Sequence, residues 1–511
     1  MNQTPVELLT AFTTAGAEQR DAAYQRLVAA LWQDGRATDL APAAVPALLT
    51  ALDRAPADRQ GGLILLLGLL VGAEQPGTDG ESAGTDGELA GTVGKELDRF
   101  LDLLAERDAH PGRTLALLFL LSHFPAERDR VLAATEPLEL SQDDLSRLTR
   151  VLQPLDPATA VLGRVWPSPA EWVLSEAERA FDRSWVDALA PAQLAATWDG
   201  DTRMLIGYSG AKAYWALRHG STEVVADTSP HRTTELSADA TGTADLTRHA
   251  GVLRCPACAG QLSVSAEGAH CTGCAADYSS AAGHLDLFER SEPADPKDVL
   301  QNAAAMRNIG LHYETVLRPA FLRLMGGNFG GQVTPADEDR YIVEHTGPVD
   351  GPVLDLAAGA GRWTAVLAEA VGSERLIALD LNPAMLTWLS GRLPEVPALR
   401  ASAQTLPFAD ATLGAVNCWN ALQAMPDPAG VIAEVGRCLR PGGSFTLLTF
   451  QQAADPIDRH FQGTFRGPGF PDGMPLFALA DLRAWLAAAG LTVRDEYTPG
   501  TFAVITAERA A

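Results

Sequence analysis

Val353-Leu354-Asp355-Leu356-Ala357-Ala358-Gly359-Ala360-Gly361-Arg362-Trp363-Thr364 is the stretch on which the fold of the C-terminal half turns. It reads as a short apolar strand, a glycine turn and the start of a helix. Gly359 and Gly361 let a ligand approach the backbone closely, and the helix N-terminus behind them favours a carboxylate. Nineteen residues after Gly361, Asp380 ends the next strand-like run, Leu376-Ile377-Ala378-Leu379. A carboxylate in that position can accept from both hydroxyls of a ribose. Outward from the turn, Ala415-Val416-Asn417-Cys418 and residues 444–450 are further strand candidates, with helical segments between them. That alternation predicts a doubly wound, mainly parallel α/β sheet whose ligands bind beyond the carboxyl ends of its strands. A dinucleotide site normally wants a third glycine where this chain has Thr364, so the turn by itself fits two kinds of cofactor.

Three further blocks narrow the choice: Ala378-Leu379-Asp380-Leu381-Asn382-Pro383-Ala384-Met385-Leu386, Thr405-Leu406-Pro407-Phe408-Ala409-Asp410 and Leu439-Arg440-Pro441-Gly442-Gly443. With the glycine turn they make four blocks in order. From Gly351 to about Glu508 the chain resembles the class I S-adenosylmethionine-dependent methyltransferases with the ubiquinone/menaquinone-type layout. The resemblance implies a Rossmann-like domain with S-adenosylmethionine as cofactor. Asp355, Ala357, Gly359 and Gly361 would hold the methionine end, Asp380 the ribose, and Leu381 one face of the adenine. Ser402 and Ala403 stand where the family usually has an acid reading the adenine amino group. Asn420 joins the donor set and, with Gln423, follows the fourth strand at the edge where the acceptor should sit. The chain departs from the family pattern twice. Ala357 replaces the usual first glycine, a mild change, and Ser402 replaces the acid, which predicts weaker donor binding.

Methyl transfer asks the protein mainly to align nucleophile, carbon and sulfur, and a general base is needed only for an acceptor protonated at neutral pH. Candidates are His312 and Tyr313, with Arg318, in residues 301–321, which the resemblance makes a lid helix, and His460, in the insertion after the fifth strand. Tyr341 and His345 lie just before the first strand. Trp388 and Trp419 read as packing residues, and Cys418 and Cys438 as small buried apolar ones.

Cys255-Pro256-Ala257-Cys258 and Cys271-Thr272-Gly273-Cys274 are two CxxC knuckles twelve residues apart. Each knuckle aims two thiolates at one point, and the pair completes a tetrahedron around zinc. Four thiolates leave no open coordination position, so the Zn2+ is structural. His270 and His284 nearby read as solvent-facing. The segment resembles the Trm112-like ribbon, which supports a methyltransferase partner, and more distantly the ribbon of bacterial rRNA guanine methyltransferases, which helps hold RNA. Here Arg254 and Arg290 stand at its ends with no basic cluster between, which argues against RNA contact.

Residues 1–220 carry helical periodicity. Val45, Leu48, Leu49 and Leu52 form one stripe, and Leu97, Phe100, Leu101 and Leu104 another. Each is followed by a more uniformly apolar helix, at 63–71 and 115–121. Such pairs resemble a degenerate HEAT-like array; the alternative is an irregular helical bundle. Ser168-Pro169-Ala170-Glu171 reads as a helix start. Gly77-Thr78-Asp79-Gly80-Glu81-Ser82-Ala83, repeated almost unchanged at 84–90, reads as a solvated loop. The domain boundaries expected are a helical domain at 1–220, a linker at 221–249, a zinc ribbon at 250–290, and a methyltransferase domain with N-terminal lid helices at 291–511.

At 511 residues the chain is too long for one core, and 47% hydrophobic against 20% charged residues excludes disorder as its main state. A net charge of -25 repels phosphate backbones, which makes nucleic acid a poor partner. The longest apolar run, 63–73, is about half of a membrane span. With no basic n-region at the start and cysteines grouped as ligands, the expectation is a cytoplasmic protein. The reading is therefore a methyltransferase acting on a small-molecule acceptor, such as a specialised metabolite, or on a peptide. The helical domain would offer a concave surface to a protein partner. The rivals are an RNA base methyltransferase and a non-catalytic scaffold with a degenerate methyltransferase fold.

Overall fold

The computed structural model describes residues 3–73, 87–106, 110–160, 180, 183–184, 186–220, 244–281, 283–288, 318, 322, 329–464 and 473–510. The N-terminal part is helical. Thr4 opens the first helix, Pro5–Thr14, with a capping box completed by Glu7. After helix Ala17–Leu31 the chain reverses through a two-stranded hairpin, β1 (Trp32–Gln33) and β2 (Arg36–Ala37). Asp34 and Gly35 both take positive φ there, as a tight hairpin turn of this kind demands.

The amphipathic stripes face inward: Val45, Leu48, Leu49 and Leu52 are buried on helix Ala41–Leu52, and Leu97, Phe100 and Leu104 on helix Leu97–Leu104, with Leu101 of the second stripe only half-buried at its margin. The two uniformly apolar helices, Ala57–Gly72 and Pro111–Leu121, lie against each other at the centre, and the long helix Pro191–His219 covers the second of them. Gly68 permits this approach, because a Cβ there would lie 2.5 Å from the Phe119 ring. The tandem acidic repeat at 77–86 and the helix start at 168–171 lie outside the described residues. Among the described residues no helix is long and apolar enough to cross a membrane.

The rest of the chain is built on one sheet of eleven strands. Its first four are β3 (Leu262–Val264), β4 (Gly268–Cys271), β5 (Asp277–Ala281) and β6 (His284–Asp286). Then follow β7 (Val353–Leu356), β8 (Leu376–Asp380), β9 (Ala398–Arg400), β10 (Leu413–Trp419), β11 (Leu439–Phe450), β12 (Leu491–Tyr497) and β13 (Phe502–Arg509). The order across the sheet is β12-β13-β11-β10-β7-β8-β9-β6-β5-β4-β3. From β9 to β11 the pairing is parallel, and β13 runs antiparallel between β11 and β12. Helices on both faces bury these strands, so β7 and β10 are apolar along nearly their whole length rather than alternating. The chain order reverses between β7 and β10, and the carboxyl ends of those strands are where an open α/β sheet binds its ligand.

The cysteine ribbon joins this sheet. β6 pairs in parallel with β9, Leu285 opposite Leu399, while β3 to β6 form an antiparallel meander beyond it. A second seam ties the start of the ribbon to the loop after β9: Arg254 N–H donates to the Pro407 carbonyl, and Ala409 N–H to that of Val252, both at 2.9 Å. Of the segment read as a linker, residues 244–249 are described, and Leu246 and His249 are buried. His284, expected to face solvent, is 5% exposed on β6, because the pairing with β9 puts that strand inside the sheet.

The insertion after β11 docks onto the helical part. The Asp455 carboxylate accepts from Gln25 Nε2 and from the Tyr214 hydroxyl, both at 2.8 Å. Gly210 and Gly207 leave room for helix Pro456–Gly463 and the residue after it. A Cβ at Gly210 would lie 2.3 Å from the Phe461 ring, and one at Gly207 would overlap the Thr464 hydroxyl.

Candidate functional site

The glycine turn follows β7. Ala357, Gly359 and Gly361 all adopt positive φ, at 59°, 54° and 87°. Ala357 therefore carries a left-handed conformation that a side chain opposes, at about 1–2 kcal/mol. Ala357→Gly is expected to stabilise the protein by about 1 kcal/mol, read as a higher midpoint in urea unfolding; a lower midpoint would place the alanine methyl in a needed contact. Gly361 caps helix Arg362–Val371 and packs beneath helix Pro383–Arg392, since a Cβ there would lie 3.0 Å from Leu389. At Gly359 a Cβ would meet nothing within 4 Å. That position is an open cradle.

Asp355 is braced from behind. Thr364 Oγ1 donates to one carboxylate oxygen at 2.5 Å and Asn417 Nδ2 to the other at 2.9 Å. Burial, with Asp380 adding to it, pushes the Asp355 carboxyl up to about 6. Asp355 thus holds the turn to β10 and to the following helix. In the sequence Thr364 stood out only as the residue in place of a dinucleotide site's third glycine, and Asn417 only as part of a strand run; neither was read as a brace for Asp355.

Asp380, at the tip of β8, accepts from Gly359 N–H and Asn382 N–H, both at 2.8 Å. Burial raises its pKa. Each oxygen keeps acceptor capacity for a further donor. Leu381 beside it is 49% exposed and offers an apolar face to a flat ring. Ser402 and Ala403 follow β9 on the same edge, half-buried, and Ser402 Oγ accepts from Gln404 N–H at 3.2 Å. Asn420, at positive φ past β10, receives Gln423 Nε2 on its carbonyl at 2.9 Å. The structure therefore places the residues expected to meet the donor at or just beyond the carboxyl ends of β7 to β10. The residues present fit an adenosine-bearing donor: an open glycine cradle, a carboxylate with spare acceptors, and an exposed apolar face.

The catalytic candidates fare differently. His312 and Tyr313 lie outside the described residues. Arg318 is fully buried and pairs with Glu338, which also accepts from Trp419 Nε1 at 2.7 Å. Through Glu338 the Arg318 guanidinium is joined to helix Pro335–His345 and, by way of Trp419, to the tip of β10. Tyr341 is tied to Asp495 at 2.7 Å, with His345 stacked on its ring. A cavity of about 240 Å³ opens at this edge, above the row Trp419, Leu448, Val504 and Tyr497 that crosses β10, β11, β13 and β12.

His460 is a correction. It does not face the donor turn but packs edge-on against Trp32 of the helical part, with ring centroids 4.9 Å apart. Helix Pro456–Gly463 is seated there by Phe461 on Phe119. Burial pulls the His460 imidazole down from 6.5 to about 4, so it is neutral at pH 7. The unfolded chain then binds more protons between those values. The stability His460 contributes is complete above about 6.5 and is lost as pH falls towards 4. His460→Leu is expected to lose less stability between pH 7 and 5 than the parent, by on the order of 1 kcal/mol. It should leave donor-product affinity unchanged; a lost product affinity would return His460 to the site.

The second site is the cysteine cluster. The four sulfurs lie within 4.8 Å of one another, with Cys255 to Cys274 at 3.6 Å and Cys258 to Cys271 at 3.4 Å. A tetrahedral zinc with Zn–S near 2.3 Å needs sulfurs about 3.8 Å apart, so the cluster fits that ion. The knuckles turn through Ala259 and Ala275, both at positive φ, and a Cβ at Gly260 would press on two of the sulfurs at 3.1 Å. Backbone N–H groups of Cys274 and Gly273 point at Cys271 Sγ and pull that thiol down to about 6. His270 is not a ligand; it pairs with Asp277 at 2.7 Å. Cys418 and Cys438 are buried, and burial pushes both thiols up to about 12.

A parallel sheet with a glycine turn on its first strand, an acid at the tip of the second and an antiparallel strand between its last two defines a Rossmann-like methyltransferase fold. In agreement, residues 353–443 match the family model described as a methyltransferase domain. An uncharacterised chloroplastic methyltransferase of Arabidopsis thaliana is 26% identical over 258 residues, covering 47% of this chain and 70% of the relative. The demethylmenaquinone methyltransferase of Lactococcus lactis is 33% identical over 111 residues, covering 20% of this chain. The chain spans 44% of that relative's length. Among solved structures, a chain from the complex of the Haloferax volcanii Trm112 methyltransferase activator with a methyltransferase is 19% identical, over 34% of this chain and 93% of that one, with a TM-score of 0.29.

Proposed function

We propose that the protein is an S-adenosylmethionine-dependent methyltransferase acting on a small molecule or a peptide, with a structural zinc ribbon built into its catalytic sheet. The observation that carries this reading is the open cradle at Gly359 joined by a hydrogen bond to the Asp380 carboxylate. The backbone of the turn would hold the carboxylate end of the donor, Asp380 the ribose, and Leu381 one adenine face, with Ser402 and Ala403 near the other end of the ring. When bound, the donor supplies an electrophilic methyl group on a sulfonium. The chain supplies alignment: Asp355, Thr364 and Asn417 keep the turn rigid, and Trp419, held by Glu338, forms part of the wall where the acceptor would enter.

The helical part is read as a degenerate HEAT-like array whose role is to hold the acceptor or a protein partner. Its support is the insertion after β11, which runs from the acceptor edge directly into that array. Free thiols grouped as metal ligands favour a reducing compartment such as the cytoplasm. Titration calorimetry with S-adenosylmethionine and with S-adenosylhomocysteine tests the proposal, with saturable binding expected for both. No heat and no thermal shift with either would leave the scaffold reading in its place.

A further inference from the structure

One row of residues crosses three strands: Asp286 on β6 lies opposite Arg400 on β9, which lies opposite Asp380 on β8. Arg400 reaches both ways. Its Nη1 donates to Asp286 Oδ2 at 2.9 Å, its Nε donates to the Leu381 carbonyl at 3.2 Å, and the guanidinium sits 5.3 Å from the centre of the Phe288 ring. Backbone bonds run along the same line, from Leu287 N–H to the Arg400 carbonyl and from Ala401 N–H to that of Asp380. Asp286 ends the meander whose second strand, β4, carries Cys271.

A half-buried ion pair still open to solvent, as this one is, contributes little to stability by itself. The fork matters because of what it holds. The Leu381 side chain is half exposed, so neighbouring side chains do little to fix it, and the carbonyl anchor from Arg400 sets its backbone. A guanidinium can serve two acceptors in a fixed geometry, which an ammonium cannot. On the other side of the ring position, the seam from Val252 and Arg254 to Pro407 and Ala409 joins the ribbon, one residue before Cys255, to the loop that follows Ser402 and Ala403. The metal module thus grips both segments that wall the adenosine end.

We propose that Arg400 is a positioning residue that couples the metal state of the ribbon to donor binding by holding the Leu381 backbone. This rests on the donor reading given above. Metal and donor then raise each other's affinity by the same factor. The test measures the affinity of the full chain for S-adenosylhomocysteine by calorimetry, zinc-loaded and after chelation, in the parent, in Arg400→Met and in Arg400→Lys. Chelation should weaken the parent by roughly tenfold. Arg400→Met should already be weaker when zinc-loaded and should respond to chelation by no more than about twofold. Arg400→Lys, which keeps the charge but not the fork, should behave as Arg400→Met. An equal response to chelation in parent and Arg400→Met, or no response in either, overturns the coupling while leaving the donor site intact. Failure of the zinc-loaded parent to bind product at all overturns the donor reading itself, and the coupling with it.

Discussion

Cys271→Ser is expected to abolish stoichiometric zinc binding and to unfold the ribbon from 250 to 286. The module has little core of its own: besides its cysteines, Leu253, Leu262, Ala269, Tyr278 and Leu285 are its buried apolar residues among those described. Against the cost of ordering some forty residues this is slight, and a bound metal at such sites supplies on the order of 10–16 kcal/mol in apparent terms. Losing one thiolate leaves three sulfurs with an open position and forfeits most of that. Because β6 is bonded to β9, the damage does not stop at residue 290. β9 becomes an edge strand with unpaired backbone groups, a template for association with other chains. Hydrogen exchange should therefore show lost protection across β3 to β6 and at 398–400, with β7, β8, β10 and β11 still protected. Full protection of the ribbon in the metal-free variant would show that packing, not metal, folds it.

Asp380→Ala is expected to weaken donor and donor-product binding by about 1–3 kcal/mol, a loss of roughly 5- to 150-fold. The carboxylate has two jobs in the structure. It anchors the turn through Gly359 N–H and caps its own strand through Asn382 N–H, and its remaining acceptor capacity faces the edge where two ribose hydroxyls would lie. Asp380→Asn should lose less, because one oxygen remains to accept. Burial raises the pKa of Asp380, and the charged form is the one that accepts from both sides, so affinity should fall on acidification before an ordinary aspartate would titrate. Calorimetric affinity that is unchanged in Asp380→Ala would mean that the donor lies elsewhere.

The local chemistry of this protein was open to reading from its residues in line. A strand, a glycine turn and an acid nineteen residues on point to a nucleoside-binding edge, because each depends on neighbours a few positions away. The two knuckles define a metal site for the same reason, and the helical stripes at 45–52 and 97–104 identify their own buried faces. Ala357 was recognised as a departure, but its cost became visible only with its φ.

What the residues in line do not carry is which edges meet. β6 and β9 are separated by more than a hundred residues, and three-residue strands have no periodicity that names a partner. Their pairing turns a ribbon expected as a separate module into the continuation of the α/β sheet, buries His284, and puts Arg400 between the cysteine ribbon and the Asp380 edge. His460 looked like a site residue from its place after the fifth strand, yet Gly207 and Gly210 on a distant helix open the space that draws its helix towards Trp32. Sequence alone determined where the candidate cysteine and glycine-turn sites lie, since knuckle spacing and turn conformation are short-range properties of the backbone. Tertiary structure decided which of those sites are mechanically joined, since hydrogen-bonded edges and close-packed helix faces are chosen by the complementarity of surfaces far apart in the chain.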